Sequence, residues 1–275
     1  MSLRFTKMHG AGNDFVILDC RDGSALPDAA LASALGNRHT GVGFDQLLTI
    51  EKSDKPDCVA RYRIFNSDGS MAQQCGNGAR CVAAWIKRAG MTTASKFNLD
   101  SPAGVIEVSC LADEQYSLLM SVPDFLPATI PFITTRTAPL HRISIGSENI
   151  EFVLVSMGNP HAVIQVEDIT NAPVERIGKA LQARPEFPES VNVGFAQILS
   201  PKHIKLRVYE RGAGETLACG SGACAAVAAL ITLGKLEAHV QVSLPGGDLQ
   251  IEWTDKTAPI RMTGPAAFVF EGEWL

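Results

Sequence analysis

Apolar and polar positions alternate with period two in two stretches that lie far apart in the chain. Ala60, Tyr62 and Ile64 alternate with Arg61 and Arg63, and Ile204, Leu206 and Val208 alternate with Lys205 and Arg207, so each stretch reads as a half-buried β-strand. Each strand runs on into a glycine-rich segment headed by a cysteine, Cys75-Gly-Asn-Gly-Ala79 in one place and Cys219-Gly-Ser-Gly-Ala223 in the other. Beyond each, an alanine-rich run, Ala79 to Ala89 and Ala223 to Leu233, predicts a buried helix that Gly90 or Gly234 can end in a left-handed cap. Each cysteine is therefore expected just ahead of a helix.

Other fragments recur in the same order. Asn13-Asp-Phe-Val-Ile17 is echoed by Asn159-Pro-His-Ala-Val163, Pro102-Ala-Gly-Val-Ile106 by Pro245-Gly-Gly-Asp-Leu249, and Met120-Ser-Val-Pro123 by Met262-Thr-Gly-Pro265. The offsets stay between 142 and 146 residues, which points to duplication of a whole domain and not to a short-period solenoid. The expected fold is α+β: two pseudo-symmetric domains, each a curled mixed β-sheet or barrel around one central helix. Boundaries are placed at 1–119 for the first domain and 120–263 for the second, with a Pro- and Thr-rich linker around Pro123 to Pro139.

Composition narrows the function without naming it. Apolar residues at 46% and charged residues at 19% belong to a folded globular chain. A net charge of −5 with no cluster of Lys and Arg beside aromatics argues against nucleic acid and in favour of a small polar substrate. The opening residues, Met1 to Gly10, lack the apolar core of a signal peptide and no apolar run reaches bilayer length, so a cytoplasmic protein without a membrane partner is expected. Seven cysteines, an odd number with no CxxC and no zinc-finger spacing, are expected as free thiols, with neither a metal nor a redox disulfide.

Amides at a helix start carry partial positive charge and lack intrahelical partners, so they stabilise a thiolate and hold an anion. A carboxylate clamped by two such starts would present its α-carbon to two sulfurs, and proton transfer on opposite faces would invert the stereocentre without a cofactor. One thiol would then have to be brought toward neutrality, for which His161 is a candidate imidazole. Against this, a lone cysteine in a glycine-rich turn is usually packing. That reading is assigned to Cys20, Cys58 and Cys110, and to Cys81 and Cys224 within the expected helices, while His9, His39, His141, His203 and His239 are read as surface or satisfied core. At Cys75 and Cys219 the repeated glycines reverse the odds, and neither segment has the GxxxxGK[ST] or GxGxxG pattern of a nucleotide loop.

The motifs together resemble diaminopimelate epimerase over essentially the whole length. Lys7-Met-His-Gly-Ala-Gly-Asn-Asp-Phe15, Phe65-Asn-Ser-Asp-Gly69, Cys75-Gly-Asn-Gly-Ala-Arg-Cys81, Ser156-Met-Gly-Asn-Pro-His161 and Tyr209-Glu-Arg-Gly-Ala-Gly-Glu-Thr216, followed by Cys219-Gly-Ser-Gly-Ala223, are similar to its signatures in order. The resemblance implies interconversion of LL- and meso-diaminopimelate without pyridoxal phosphate or metal, on the route to lysine and peptidoglycan. It also implies a homodimer, and a last strand, within residues 264–275, that returns to the first domain. By motif, Cys75 and Cys219 match the catalytic pair. Asn13, Gln46, Asn66, Asn159, Asn192, Glu210 and Arg211 match substrate-binding positions, and Gly76, Asn77, Gly220 and Ser221 match the anion-holding segments. His161 and Glu210 match thiol-tuning positions. Proline racemase or hydroxyproline epimerase is the nearest alternative, and a thiol redox sensor or a metal-binding protein is an alternative of another class.

Overall fold

The computed structural model describes residues 3–72, 75–136 and 139–275, so two residues of the expected linker, 137 and 138, lie outside the described residues. Two compact units divide the chain: Met1–Leu119 with Thr263–Leu275, and Met120–Met262. The return to the first unit thus begins one residue before the boundary read from the sequence.

In the first unit β1 (Leu3–Gly10) and β2 (Asn13–Asp19) form a hairpin that turns at Ala11 and Gly12, both at positive φ. Helix α1 (Ala29–Gly36) carries the chain to β3 (Gln46–Glu51), which lies parallel to β2. Strand β4 (Cys58–Asn66) returns antiparallel, and the short β5 (Met71–Ala72) pairs with its end. After α2 (Gly76–Arg88) come β6 (Lys96–Ser101), β7 (Gly104–Cys110) and β8 (Gln115–Leu119), with β6 parallel to β4. The second unit follows the same plan through β9 (Leu140–Ile145), β10 (Glu148–Ser156), β11 (Pro160–Gln165), α3 (Val174–Gln182), β12 (Asn192–Ser200) and β13 (His203–Glu210). It continues through β14 (Gly214–Thr216), α4 (Gly220–Thr232), β15 (His239–Leu244) and β16 (Gly247–Glu252). β17 (Arg261–Pro265) leads back, and β18 (Ala267–Trp274) pairs antiparallel with β1, the place that β9 fills beside β10. Each sheet curls around its long helix without closing into a barrel.

The ladders give the duplication a register. Phe15 on β2 pairs with Gln46 on β3, and Gln46 with Asn66 on β4. In the second unit His161 on β11 pairs with Asn192 on β12, and Val193 with Tyr209, which brings Asn192 beside Glu210 at the end of the ladder. Asn13, Gln46 and Asn66 therefore correspond to Asn159, Asn192 and Glu210. A parallel pair needs a crossover connection, which is why each unit has a second helix, α1 or α3, beyond the single one expected. Signals for both were present: Asp28 caps α1 by accepting from the Leu31 amide, and Val174, Ile177 and Leu181 line one buried face of α3.

Both long helices start three residues earlier than expected, so Gly-x-Gly is the first helical turn and not a loop before it. Packing explains the glycines. A Cβ on Gly78 would lie 3.3 Å from the fully buried Phe15 ring, and one on Gly222 would lie 3.0 Å from Val208 and 3.2 Å from the Cys219 sulfur. At the far ends Gly90 and Gly234 adopt positive φ. Met91 N–H donates to Ile86 and Lys235 N–H to Leu230, closing both helices with the same Schellman pattern. One core expectation fails. His141 is buried among Phe132, Phe152 and Phe187, yet its Nε2 has no hydrogen-bond partner, so it is not satisfied as expected, and its pKa is lowered chiefly by burial.

Candidate active site

Each cysteine is the N-cap residue of its unit's long helix, in extended backbone conformation. In the first unit Cys75 Sγ accepts from the Gly78 amide at 3.4 Å, a contact that favours the thiolate, and lies 3.7 Å from Asn13 Oδ1, which favours the thiol. Asn77, at the second helical position, donates through Nδ2 to the same Asn13 oxygen at 3.2 Å. Gln46 donates to Asn66 Oδ1 at 3.0 Å, and Asn66 in turn to Ser70 Oγ. Gln46 Oε1 is buried with no partner among the described residues, so it is an acceptor in want of a donor. Amides thus gather at one end of the sheet because β2, β3 and β4 all begin or finish there.

In the second unit the corresponding positions are more polar. Cys219 Sγ donates to Glu210 Oε2 at 3.1 Å and lies 3.7 Å from Ser221 Oγ, while Thr216 Oγ1 donates to the other oxygen of Glu210. His161 Nε2 sits 3.1 Å from both Asn159 Oδ1 and Ser221 Oγ, and Asn159 Nδ2 donates to Ser221. Asn192 donates to the Pro160 carbonyl and accepts from the Arg211 amide, so it fixes the turn after β13. Arg211 itself is exposed and its guanidinium donates to the Glu189 carbonyl.

The electrostatics of the second unit follow from its burial. Burial, and then the charge and hydrogen bond of Glu210, push the Cys219 thiol well above its ordinary range; the Gly222 amide and Ser221 oppose this without winning. His161 cannot help by charge. Complete burial, with Arg211 nearby, lowers it to about 3, so it is a neutral ring at neutral pH that orients Asn159 and Ser221. The resting Cys219 is consequently a thiol hydrogen-bonded to a carboxylate.

Around Cys75 the structure gathers Asn13, Asn77 and the helix start at Gly76, while Gln46 and Asn66 bond to each other at the ends of their strands; around Cys219 it gathers Glu210 and Ser221 with Asn159, His161 and the helix start at Gly220, while Asn192 meets the Pro160 carbonyl and the Arg211 amide and the Arg211 guanidinium turns to Glu189. Two participants were missed. Asp45 accepts from Asn13 Nδ2 at 2.7 Å, and Thr216 holds Glu210. The sequence signal for Asp45 is adjacency to Gln46, whereas Thr216 closes the motif that runs from Tyr209. Cys20, Cys81 and Cys224 are buried as expected, but Cys58 and Cys110 are only half-buried. Among the described residues there is no group of three or more His, Cys, Asp or Glu that could hold a metal, and no helix long and apolar enough to cross a membrane.

The profile of the family described as Diaminopimelate epimerase matches residues 5–126 and 141–269. The chain belongs to the diaminopimelate epimerase family. It is 56% identical over 273 residues to the diaminopimelate epimerase of Xanthomonas campestris pv. campestris, covering 99% of this chain and 96% of that one. Against the diaminopimelate epimerase of Ectopseudomonas mendocina it is 50% identical, with 99% of both chains covered. Among solved structures, a PhzF-family phenazine biosynthesis protein from Bacillus anthracis superposes with a TM-score of 0.73 at 15% identity, over 100% of this chain and 99% of that one. A probable proline racemase from Agrobacterium radiobacter gives 0.71 at 16% identity, covering 99% of this chain and 93% of that one. At such identities these likenesses speak for the fold alone. Membership of the diaminopimelate epimerase family, in contrast, rests on sequence across both units.

Proposed function

We propose that this chain interconverts LL- and meso-diaminopimelate by proton transfer through Cys75 and Cys219. The observation that carries this is the double construction: a cysteine N-capping a buried helix, flanked by polar side chains at the same ladder positions, made twice from one plan. A two-base inversion needs that equivalence, because each face of the α-carbon requires its own proton-transfer group. The helix-start amides at Gly76 and Asn77, and at Gly220 and Ser221, suit the reacting carboxylate as charge develops beside it. Gln46 Oε1, the buried acceptor without a partner, suits an ammonium proton, and Glu210 a second one.

In the first step Glu210 takes the Cys219 proton along the 3.1 Å hydrogen bond, and the thiolate then removes the α-proton. The Cys75 thiol delivers a proton to the opposite face, which leaves Cys75 as thiolate and Cys219 as thiol. Loss of the Glu210 proton to solvent and uptake of one by Cys75 restore the starting state. A homodimer in the cytoplasm belongs to the same reading and is supported by the family resemblance; sedimentation of the purified protein tests the assembly.

The experiment is epimerisation of LL-diaminopimelate in deuterated water with no added cofactor, followed by polarimetry and by proton NMR at the α-carbon. Solvent deuterium should enter the inverted centre from the first turnovers. Cys75→Ala and Cys219→Ala should each abolish inversion in a folded protein. Turnover of proline in place of diaminopimelate, or full activity in either variant, would overturn the assignment.

A further inference from the structure

We propose that Asp45 is a positioning residue for Cys75: its carboxylate captures the Asn13 amide protons and so turns Asn13 Oδ1 toward the thiol, holding Cys75 in the protonated form. This rests on the reading of Cys75 as a proton donor. The geometry leaves Asn13 no alternative orientation. A carboxylate only accepts, so the amide end that meets Asp45 Oδ2 at 2.7 Å must be the NH2, and the oxygen is left 3.7 Å from Cys75 Sγ and 3.2 Å from Asn77 Nδ2. An oxygen acceptor beside sulfur favours thiol over thiolate, against the pull of the Gly78 amide.

Asp45 is itself fixed on several sides. Its carboxylate accepts from Arg38 at 2.8 Å and from the Asp14 amide at 3.1 Å, and its own amide donates back to the Asp14 carboxylate at 3.0 Å. Burial pushes Asp14 up, but its hydrogen bonds and charge pairing with Arg38 and Lys7 outweigh this and bring it down to about 2, so the Asp14 carboxylate that accepts from the Asp45 amide stays ionised through neutral pH. The duplicated unit lacks the device. Val191 precedes Asn192 where Asp45 precedes Gln46, and the Asn159 oxygen turns to His161 instead. In that unit a carboxylate, Glu210, meets the cysteine directly; in this one the carboxylate stands one amide further back. The two copies have thereby diverged in how each thiol is held.

The test is the pH profile of Cys75 alkylation by iodoacetamide, read by mass spectrometry of the Cys75 peptide, in the full-length protein without substrate. D45A loses both acceptor and charge, while D45N loses the charge and keeps an acceptor oxygen. The other ionisable groups around the thiol, Lys7, Asp14, Arg38, Tyr62, Arg80 and Cys81, are common to all variants. D45A should move the profile about one unit toward lower pH, roughly tenfold faster alkylation at a fixed pH below the midpoint, and D45N less than half as far. N13A, which deletes the oxygen itself, should reproduce the D45A shift and keeps the test open if D45A does not fold. Equal shifts in D45A and D45N would reduce the effect to charge and overturn the proposal, as would a wild-type profile in D45A or N13A. Because no substrate is present, failure of the wild-type protein to turn over diaminopimelate would count against the proposed function and leave this result standing.

Discussion

Replacing Glu210 by Gln separates the titration of Cys219 from its catalysis. In the folded protein the thiol donates to Glu210 at 3.1 Å in a buried site, so ionising it sets a thiolate against a carboxylate. Two unit charges about 4 Å apart interact by about 4 kcal/mol at an effective dielectric near 20. Even a third of that is about 1.4 kcal/mol, a factor of ten in an ionisation equilibrium. E210Q should therefore alkylate at Cys219 at least about tenfold faster than wild type at neutral pH, since the like charge is gone even though the amide keeps an acceptor oxygen. Turnover should move the opposite way and fall by about a hundredfold or more, the usual cost of losing a positioned proton acceptor. The assay is iodoacetamide labelling with peptide mass spectrometry beside epimerisation of LL-diaminopimelate on the same preparation. Cys219 labelling that is unchanged or slower in E210Q would refute the reasoning, because burial alone would then account for the raised thiol.

Gly222→Ala should cost about 1–3 kcal/mol in denaturant stability from overpacking, because the new Cβ would stand 3.0 Å from Val208 Cγ2 and 3.2 Å from Cys219 Sγ; unchanged stability and turnover together would show that the helix start yields freely. Acid should destabilise the fold before carboxylates titrate. His161 is held neutral down to about 3, whereas unfolded histidine protonates near 6.5, so below that pH the unfolded chain binds more protons and stability falls by about 1.4 kcal/mol per unit through His161, with the lowered His141 adding in the same direction. Their contribution is fully present above 6.5. Urea unfolding at pH 6.5 and pH 5.0 should show this slope, and His161→Gln should flatten it; an identical slope in the variant would contradict the assignment.

The sequence by itself determined whatever local patterns and the repeat encode. Period-two strands, Ala-rich helices ended by Gly90 and Gly234, and a cysteine ahead of each helix are all written within about fifteen contiguous residues, and backbone geometry alone translates them. Repetition then supplied what one copy could not: the pairing of Cys75 with Cys219 and of Asn13 with Asn159 as equivalents. Helices α1 and α3 escaped notice because they are short and α1 has little amphipathic contrast; the demand for them comes from the parallel pairing of the strands they join. What the side chains do chemically was decided in three dimensions. Asp45 reaches Asn13 across 32 residues of chain, and His161 loses its charge to burial, a property that no spacing encodes. Burial and then Glu210 raise Cys219, because tertiary packing removes the water around the sulfur and puts a carboxylate against it, which no spacing in the sequence encodes. Residue types announce which groups are available; their protonation is set by the neighbours and the dielectric that only the folded chain assembles.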